Sequence, residues 1–490
     1  MGAAAGSASG AAASHLEAEV LLLQEEEAAL AQRCDLKFSP DAGMVGLCNL
    51  GNTCFMNAGL QCLSHVQPLA AFFLSGQYQE DVNSTNFLGH GGDFAAAFAE
   101  LQRSLWLGEA ARRAAFAPRE LHGRFRTFAP HLFEGFEQQD VQEFLAFCLD
   151  GLHEDLNRVT RRPPPLTEEQ ERRDELLAER HGPEVGAGIA WKRYLEHGRS
   201  FLVDLLQGQL QSTLTCTTCG FKACRFDPFL YLSVPVEPKM TRVTDAIERY
   251  LEEETLAGDE RWFCKRCNAK VVARKKMDLW KLPPVLVLHL KRFEFHSDGR
   301  MGGRFSKLTN ELHLPEVVDL LGYTSSAQRL GARYEVVCVA NHHGRYGSGH
   351  YTATCRVGGR WRHFNDDRVS ELASGASAVG RDAYVIFLSR AAGGAADALG
   401  QSGGAFARGQ SRRLDLLQAR LLRRQTLSAP GLWPHLISAR NSFLGSIMRS
   451  GSTMRPDSEA AGATEDTAGR RPSSPSSPSS RGAPPPPRCW

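Results

Sequence analysis

An α+β fold is predicted by three features of the 490-residue chain. Apolar residues recur at helical spacing in the first part, alternate with period two in the second, and lose both patterns beyond Arg390. The first predicted helix runs from Cys54 to Leu63, directly after a Gly51-Asn52-Thr53 turn. A second follows the stripe Phe94, Phe98, Leu101 and Leu105. A third runs from Gln138 to Leu156, with Val141, Phe144, Leu145, Cys148, Leu149 and Leu152 on one face. A charged insertion opening on Arg161-Arg162-Pro163-Pro164-Pro165 occupies about residues 160–182. Strand-like runs follow at Leu210–Thr215, Phe229–Val236, Val271–Leu279, Val285–Leu290, Tyr334–Ala340, Tyr351–Val357 and Tyr384–Ser389.

Composition narrows the possibilities. Lys+Arg 57 against Asp+Glu 55 leaves a net charge of +2, so no global field favours nucleic acid or a membrane surface. No apolar run approaches the ~18 residues of a membrane span. Glu17 and Glu19 interrupt the only N-terminal apolar stretch, which does not read as a signal peptide. A soluble protein of cytoplasm, nucleus or both is expected. The 13 cysteines are odd in number and sparse, which suits thiols, ligands or nucleophiles better than a disulfide scaffold.

Residues 46–57, Gly-Leu-Cys-Asn-Leu-Gly-Asn-Thr-Cys-Phe-Met-Asn, form the densest segment. Cys54 would open a helix, where amide N–H groups and the positive dipole end favour a thiolate. Asn49 lies upstream with an amide able to donate to an oxyanion beside the Cys54 N–H. A buried structural cysteine is the competing reading of this segment taken alone. A nucleophile needs a base, and His350 is the best candidate. It follows the loop Gly344–Gly349 and begins a strand, anchored on one side and open on the other. His342 and His343, at the start of that loop, rank below it, and His289 alternates within an apolar strand. A Gly358-Gly359 hairpin would bring Asn365 or Asp366 beside His350 to fix its tautomer.

Four segments in order resemble the ubiquitin-specific protease family of cysteine deubiquitinases: Gly46–Asn57, Gln138–Phe144, Leu282–Phe293 and Gly349-His350-Tyr351. The resemblance implies a papain-like peptidase with helical thumb, β-rich palm and zinc-bearing β fingers, over about residues 44–390. It implies cleavage of the isopeptide or peptide bond after the C-terminal glycine of ubiquitin. By position, Cys54 is then the nucleophile, His350 the base, Asn365 the orienting member with Asp366 as a possible sharer, and Asn49 the oxyanion donor. Many relatives carry Asp where this chain has Asn365. Gln139, Asp140 and Glu143 fall where family members bind the substrate. Asp140 and Glu143 are three apart, on one helix face, suited to the arginines of an extended ubiquitin tail. A catalytically inactive ubiquitin-binding scaffold and a protease for a ubiquitin-like modifier are the alternatives.

Cys216-x-x-Cys219 and Cys264-x-x-Cys267 suit a tetrahedral four-cysteine zinc site, each pair at a hairpin tip. Such a closed site is structural and would stabilise the fingers, about residues 200–280. Cys224 has no partner at ligand spacing. DNA binding by a zinc module is disfavoured by the near-zero charge. The flanking segments differ in kind. Residues 1–43 are a low-complexity tail with a short helix, and residues 391–490 are Ala/Gly- then Ser/Pro-rich and expected to be mostly disordered. Within the latter, Ser411–Gln425 has leucines at helical spacing among arginines, and Arg424–Pro430 offers Ser428 to a phosphoserine-binding adaptor.

Overall fold

The computed structural model describes residues 42–107, 115–129, 138–297, 303–325, 332–373 and 377–391. The expected N-terminal helix, the Ser411–Gln425 helix and the Ser428 motif lie outside the described residues.

The helical part contains α1 (Cys54–Ser64), α2 (Gln67–Leu74), α3 (Asp93–Trp106), α4 (Arg119–Phe128) and α5 (Val141–Asp155). Every residue of α1 is buried, so it is the central helix of this lobe. The predicted helix at Gln138 starts later, at Val141, because Asp140 has extended backbone and caps it, its side chain accepting from the Gln142 and Glu143 N–H groups. At the other end of α5, the fully buried Asp155 carboxylate accepts from the N–H groups of Phe94 and Ala95 at 3.0 Å. It thereby caps α3 from outside, where Gly92 supplies no side chain. The charged insertion is a helical hairpin. Helix α6 (Glu168–His181) opens on a Thr167/Gln170 capping box, and α7 (Pro183–His197) has Pro183 in its first turn. No residue of α6 is buried, whereas Ala187 of α7 packs with Phe226 and Trp280. The short α8 (Phe201–Leu206) returns to the core.

Strands β1 (Gly46–Leu47) and β2 (Ala115–Phe116) pair in parallel beside the helices. Two larger sheets follow. The four-stranded one has the order β4-β3-β9-β6, from β3 (Gly208–Cys216), β4 (Lys222–Phe229), β6 (Glu254–Leu256) and β9 (Ala273–Lys281). The hairpin β7 (Trp262–Cys264) and β8 (Ala269–Val271) is separate from it. The eight-stranded sheet runs β17-β16-β15-β14-β18-β10-β5, with β13 on β14. Its members are β5 (Tyr231–Pro235), β10 (Val285–Lys291), β13 (Val317–Asp319), β14 (Arg333–Arg345), β15 (Ser348–Val357), β16 (Arg360–Asn365), β17 (Arg368–Glu371) and β18 (Ala383–Arg390). Strands β11 (Phe293–Ser297) and β12 (Gly303–Lys307) form a further hairpin, and α9 (Val243–Tyr250) packs near β5.

Two predicted strands are divided. Phe229–Val236 breaks at Leu230, Phe229 ending β4 in the smaller sheet and Tyr231 beginning β5 in the larger. Val271–Leu279 breaks at Val272 between β8 and β9. Alternation identifies a half-buried strand but not its partners, so a continuous pattern can pass from sheet to sheet. Strand β10 is buried on both faces, which is why it reads as a nearly continuous apolar run interrupted only by His289 before Lys291. Val285 and Val287 join the helical core, while Leu286, Leu288 and Leu290 join a second core containing Val243, Ala246 and Ile247 of α9.

Candidate active site

Cys54 is the first residue of α1 and is only 1% exposed. The loop before it is held by its own polar groups. Asn49 Oδ1 accepts from the N–H groups of Gly51 (3.0 Å) and Thr53 (3.1 Å), and Leu50 N–H donates to Thr53 Oγ1 (2.8 Å). Gly51 and Asn52 have φ of 110° and 51°, the left-handed region the turn requires. Burial pushes the Cys54 thiol up, the Tyr351 N–H pulls it down, the Asp366 charge raises it, and the N–H groups of Phe55 and Cys54 lower it. The amide donors expected at a helix start are therefore present, but desolvation outweighs them, and the sulfur needs a proton acceptor.

His350 lies in β15 opposite His343 of β14. The expected loop Gly344–Gly349 is instead a tight hairpin: β14 runs to Arg345, β15 starts at Ser348, and Gly344 and Gly347 have φ of 115° and 71°. His350 Nε2 is 2.7 Å from Asn365 Oδ1. An amide oxygen only accepts, so Nε2 carries the proton and Nδ1 is left as the basic nitrogen. The next residue, Tyr351, directs its N–H at the Cys54 sulfur, which brings the two chain segments together.

Asp366 turns the other way. Its Oδ1 accepts from Asn57 Nδ2 (2.8 Å), its Oδ2 from Asn49 Nδ2 (2.9 Å), and its C=O from Leu47 N–H (2.8 Å). Of the two neighbours, Asn365 orients the histidine and Asp366 ties down the cysteine loop. The approach is close enough that a Cβ on Gly46 would lie 2.4 Å from the Asp367 carbonyl oxygen. One hydrogen of the Asn49 amide is committed to Asp366, and the second has no partner among the described residues.

The competing histidines are either hydrogen-bonded or held neutral by burial. His343 meets Asp382 through Nδ1 (3.1 Å) and Thr352 through Nε2 (2.9 Å). Burial drives His342 down to about 4 and His289 to about 3, and the His289 ring contacts Ser233. Asp140, expected on an acidic face with Glu143, is the α5 cap and accepts from Tyr384 OH at 2.6 Å. Burial raises its carboxyl. Gln139 and Glu143 are half-buried. Asn57 and Gln138 lie within the motif segments Gly46–Asn57 and Gln138–Phe144 but take no role from sequence alone, and Tyr384 carries no local motif; Gln138 Oε1 accepts from Gly349 N–H at 3.0 Å.

The thiols of Cys216, Cys219, Cys264 and Cys267 all lie within 4.8 Å of one another. Each pair spans a hairpin tip, β3–β4 and β7–β8. Cys216 to Cys267 is 3.8 Å and Cys219 to Cys264 is 3.7 Å. A tetrahedron with zinc–sulfur bonds of about 2.3 Å has edges of about 3.8 Å, so the donor set fits that ion. Within each knuckle an N–H donates back to the first sulfur, from Cys219 (3.4 Å) and Cys267 (3.5 Å). The Cys219 N–H leads in drawing the Cys216 thiol down to about 6. Cys224 stands apart, exposed and beside Thr213.

The family model described as "Ubiquitin carboxyl-terminal hydrolase" matches residues 45–388. "Ubiquitin carboxyl-terminal hydrolase 2" of Rattus norvegicus is 40% identical over 356 residues, 70% of this chain and 54% of the relative. "Ubiquitin carboxyl-terminal hydrolase 21" of Homo sapiens is 36% identical over 360 residues, 71% of this chain and 61% of the relative. The chain thus spans little more than half the length of these curated relatives. A chain of the "SAGA DUB module Ubp8/Sgf11/Sus1/Sgf73 bound to monoubiquitin" superposes with a TM-score of 0.56 at 25% identity, covering 73% of this chain and 71% of that one.

Proposed function

The chain belongs to the ubiquitin-specific protease family of ubiquitin carboxyl-terminal hydrolases, and from that premise we propose that it is a thiol-dependent deubiquitinase acting on the bond after the C-terminal glycine of ubiquitin. The observation that carries this reading is the His350 Nε2–Asn365 Oδ1 contact at 2.7 Å, with the N–H of the adjoining Tyr351 directed at the Cys54 sulfur. His350 Nδ1 takes the Cys54 proton as the sulfur attacks the carbonyl. Negative charge developing on the carbonyl oxygen is met by the Cys54 N–H and the second amide hydrogen of Asn49. The imidazolium then protonates the leaving amine, giving a thioester to the ubiquitin glycine. Water, deprotonated by the same ring, hydrolyses it. Asn365 keeps the ring in the required tautomer throughout; a neutral amide suffices, as it does in other Cys-His-Asn proteases. Gln139, Asp140 and Glu143 would border the approach of the ubiquitin tail on this reading. Because the Asp140 carboxylate already caps α5 and accepts from Tyr384 OH, its part is to shape that approach.

The four cysteines would hold a structural zinc ion, with thiolate spacing and knuckle N–H···S bonds as the support. All four ligand positions are filled by sulfur, so the ion would cross-link the fingers and leave the chemistry to Cys54 and His350.

The test is incubation with ubiquitin carrying a C-terminal electrophile, read by intact mass, with Cys54→Ala as control. A one-to-one adduct absent from the variant is expected. No adduct on folded wild-type protein, or an adduct that survives in the variant, would overturn the assignment.

A further inference from the structure

We propose that Gln138 is a positioning residue that sets His350 against Cys54, an inference that rests on the thiol mechanism above. Three consecutive residues of β15 are each held by a different part of the molecule. Gly349 N–H donates to Gln138 Oε1 at 3.0 Å, the His350 ring is held by Asn365 at 2.7 Å, and Tyr351 N–H is directed at the Cys54 sulfur. Gln138 is the contact on the side of α5, 211 residues away in sequence.

Gly349 has no freedom to find its position by itself. A Cβ there would lie 2.3 Å from His342 Nε2 and 2.6 Å from the His343 carbonyl oxygen. The backbone is therefore close against β14, and its N–H is bonded by Gln138. Gln138 is itself preorganised. Two residues further on, Asp140 is held by Tyr384 OH at 2.6 Å and by the first amides of α5. The glutamine thus transmits the fixed position of the α5 start to the residue before the base. Only its acceptor oxygen is needed for this. A shift of about 1 Å in a catalytic group is enough to cost orders of magnitude in rate.

The experiment compares full-length wild type, Gln138→Leu and Gln138→Glu, the last keeping an acceptor oxygen. Gln138 is exposed, so neither change leaves a hole in the core. Turnover is measured on ubiquitin with a C-terminal fluorogenic amide, and Cys54 alkylation by iodoacetamide is followed against pH without ubiquitin. Gln138→Leu is expected to lower kcat about 10-fold with KM within about 2-fold, and Gln138→Glu to restore most of it, in line with loss and recovery of a well-placed base. Alkylation by Gln138→Leu should be slower near neutrality, where His350 must accept the proton, and match wild type at high pH, where the thiolate forms unaided. An unchanged kcat, a change confined to KM, or a Gln138→Glu variant as impaired as Gln138→Leu would each overturn the proposal. Failure of the ubiquitin reading would look different: wild type itself would not turn over, while the alkylation series still reports on His350.

Discussion

Asn365 and Asp366 are adjacent in sequence yet serve opposite sides of the site. The first ends β16 and contacts His350, while the second has φ of 49° and bonds Asn49 and Asn57. Asn365→Ala should lower kcat by about 10²-fold with little change in KM, the low end of what a positioned acid–base pair contributes. Asp366→Ala should lower kcat together with the melting temperature, since it releases the cysteine loop. Equal melting temperatures for the two variants would contradict this division. The buried sulfur makes a pH prediction. With His350→Ala, iodoacetamide reports the isolated Cys54 thiol, and burial should place its midpoint above the ordinary 9.0. The anion is the form disfavoured, so reactivity rises with pH through that raised value. A midpoint below 9.0 would mean that the amide donors outweigh burial. Among these residues, Cys54 and His350 as candidate nucleophile and base, and the two candidates for third member, were legible from motif and spacing. The choice between the two candidates was not, because it depends on which way one residue turns at the end of β16.

At the scale of elements, the two knuckles show how short strands gain stability from a cross-link. Strands β7 and β8 have three residues each and pair only with each other among the described residues. An isolated hairpin of that size is marginal in water. One zinc per chain is expected by native mass spectrometry, and Cys264→Ser should abolish it and lower the melting temperature, as metal binding is then part of folding. Wild type purified without metal yet equally stable would count against this. Helix α6 makes a contrasting case. None of its residues is fully buried, and besides the packing of Ala178 near Gly186 of α7 it is held by its capping box, the Arg193–Asp174 pair at 3.0 Å and the exposed Lys265–Glu175 pair at 2.9 Å. Thr167→Ala should cost about 1 kcal/mol locally. Hydrogen exchange should show α6 losing protection while the global melt is unmoved. The helices of the insertion were not foreseen, since charge and proline conceal a helix that lacks an apolar stripe.

Over the whole molecule, the eight-stranded sheet separates two cores and carries the site on one side. Leu288 belongs to the second core and is fully buried. Leu288→Ala should lower unfolding free energy by about 2–5 kcal/mol by denaturant titration, the range for a cavity in a packed core. A loss below about 1 kcal/mol would mean the second core collapses around the gap. By itself the sequence determined the α+β class, the order of the main helical and strand segments and the four clustered thiols, and it singled out Cys54 and His350 as candidate nucleophile and base. These follow from local periodicity, turn residues and fixed spacing, which need no knowledge of partners. Only the tertiary structure decided which strands pair, that Gly344–Gly349 is a hairpin, that Asp140 caps a helix, and that Asn365 and not Asp366 faces His350. Each of those depends on contacts between residues far apart in the chain, whose energies exist only once both segments have been brought together.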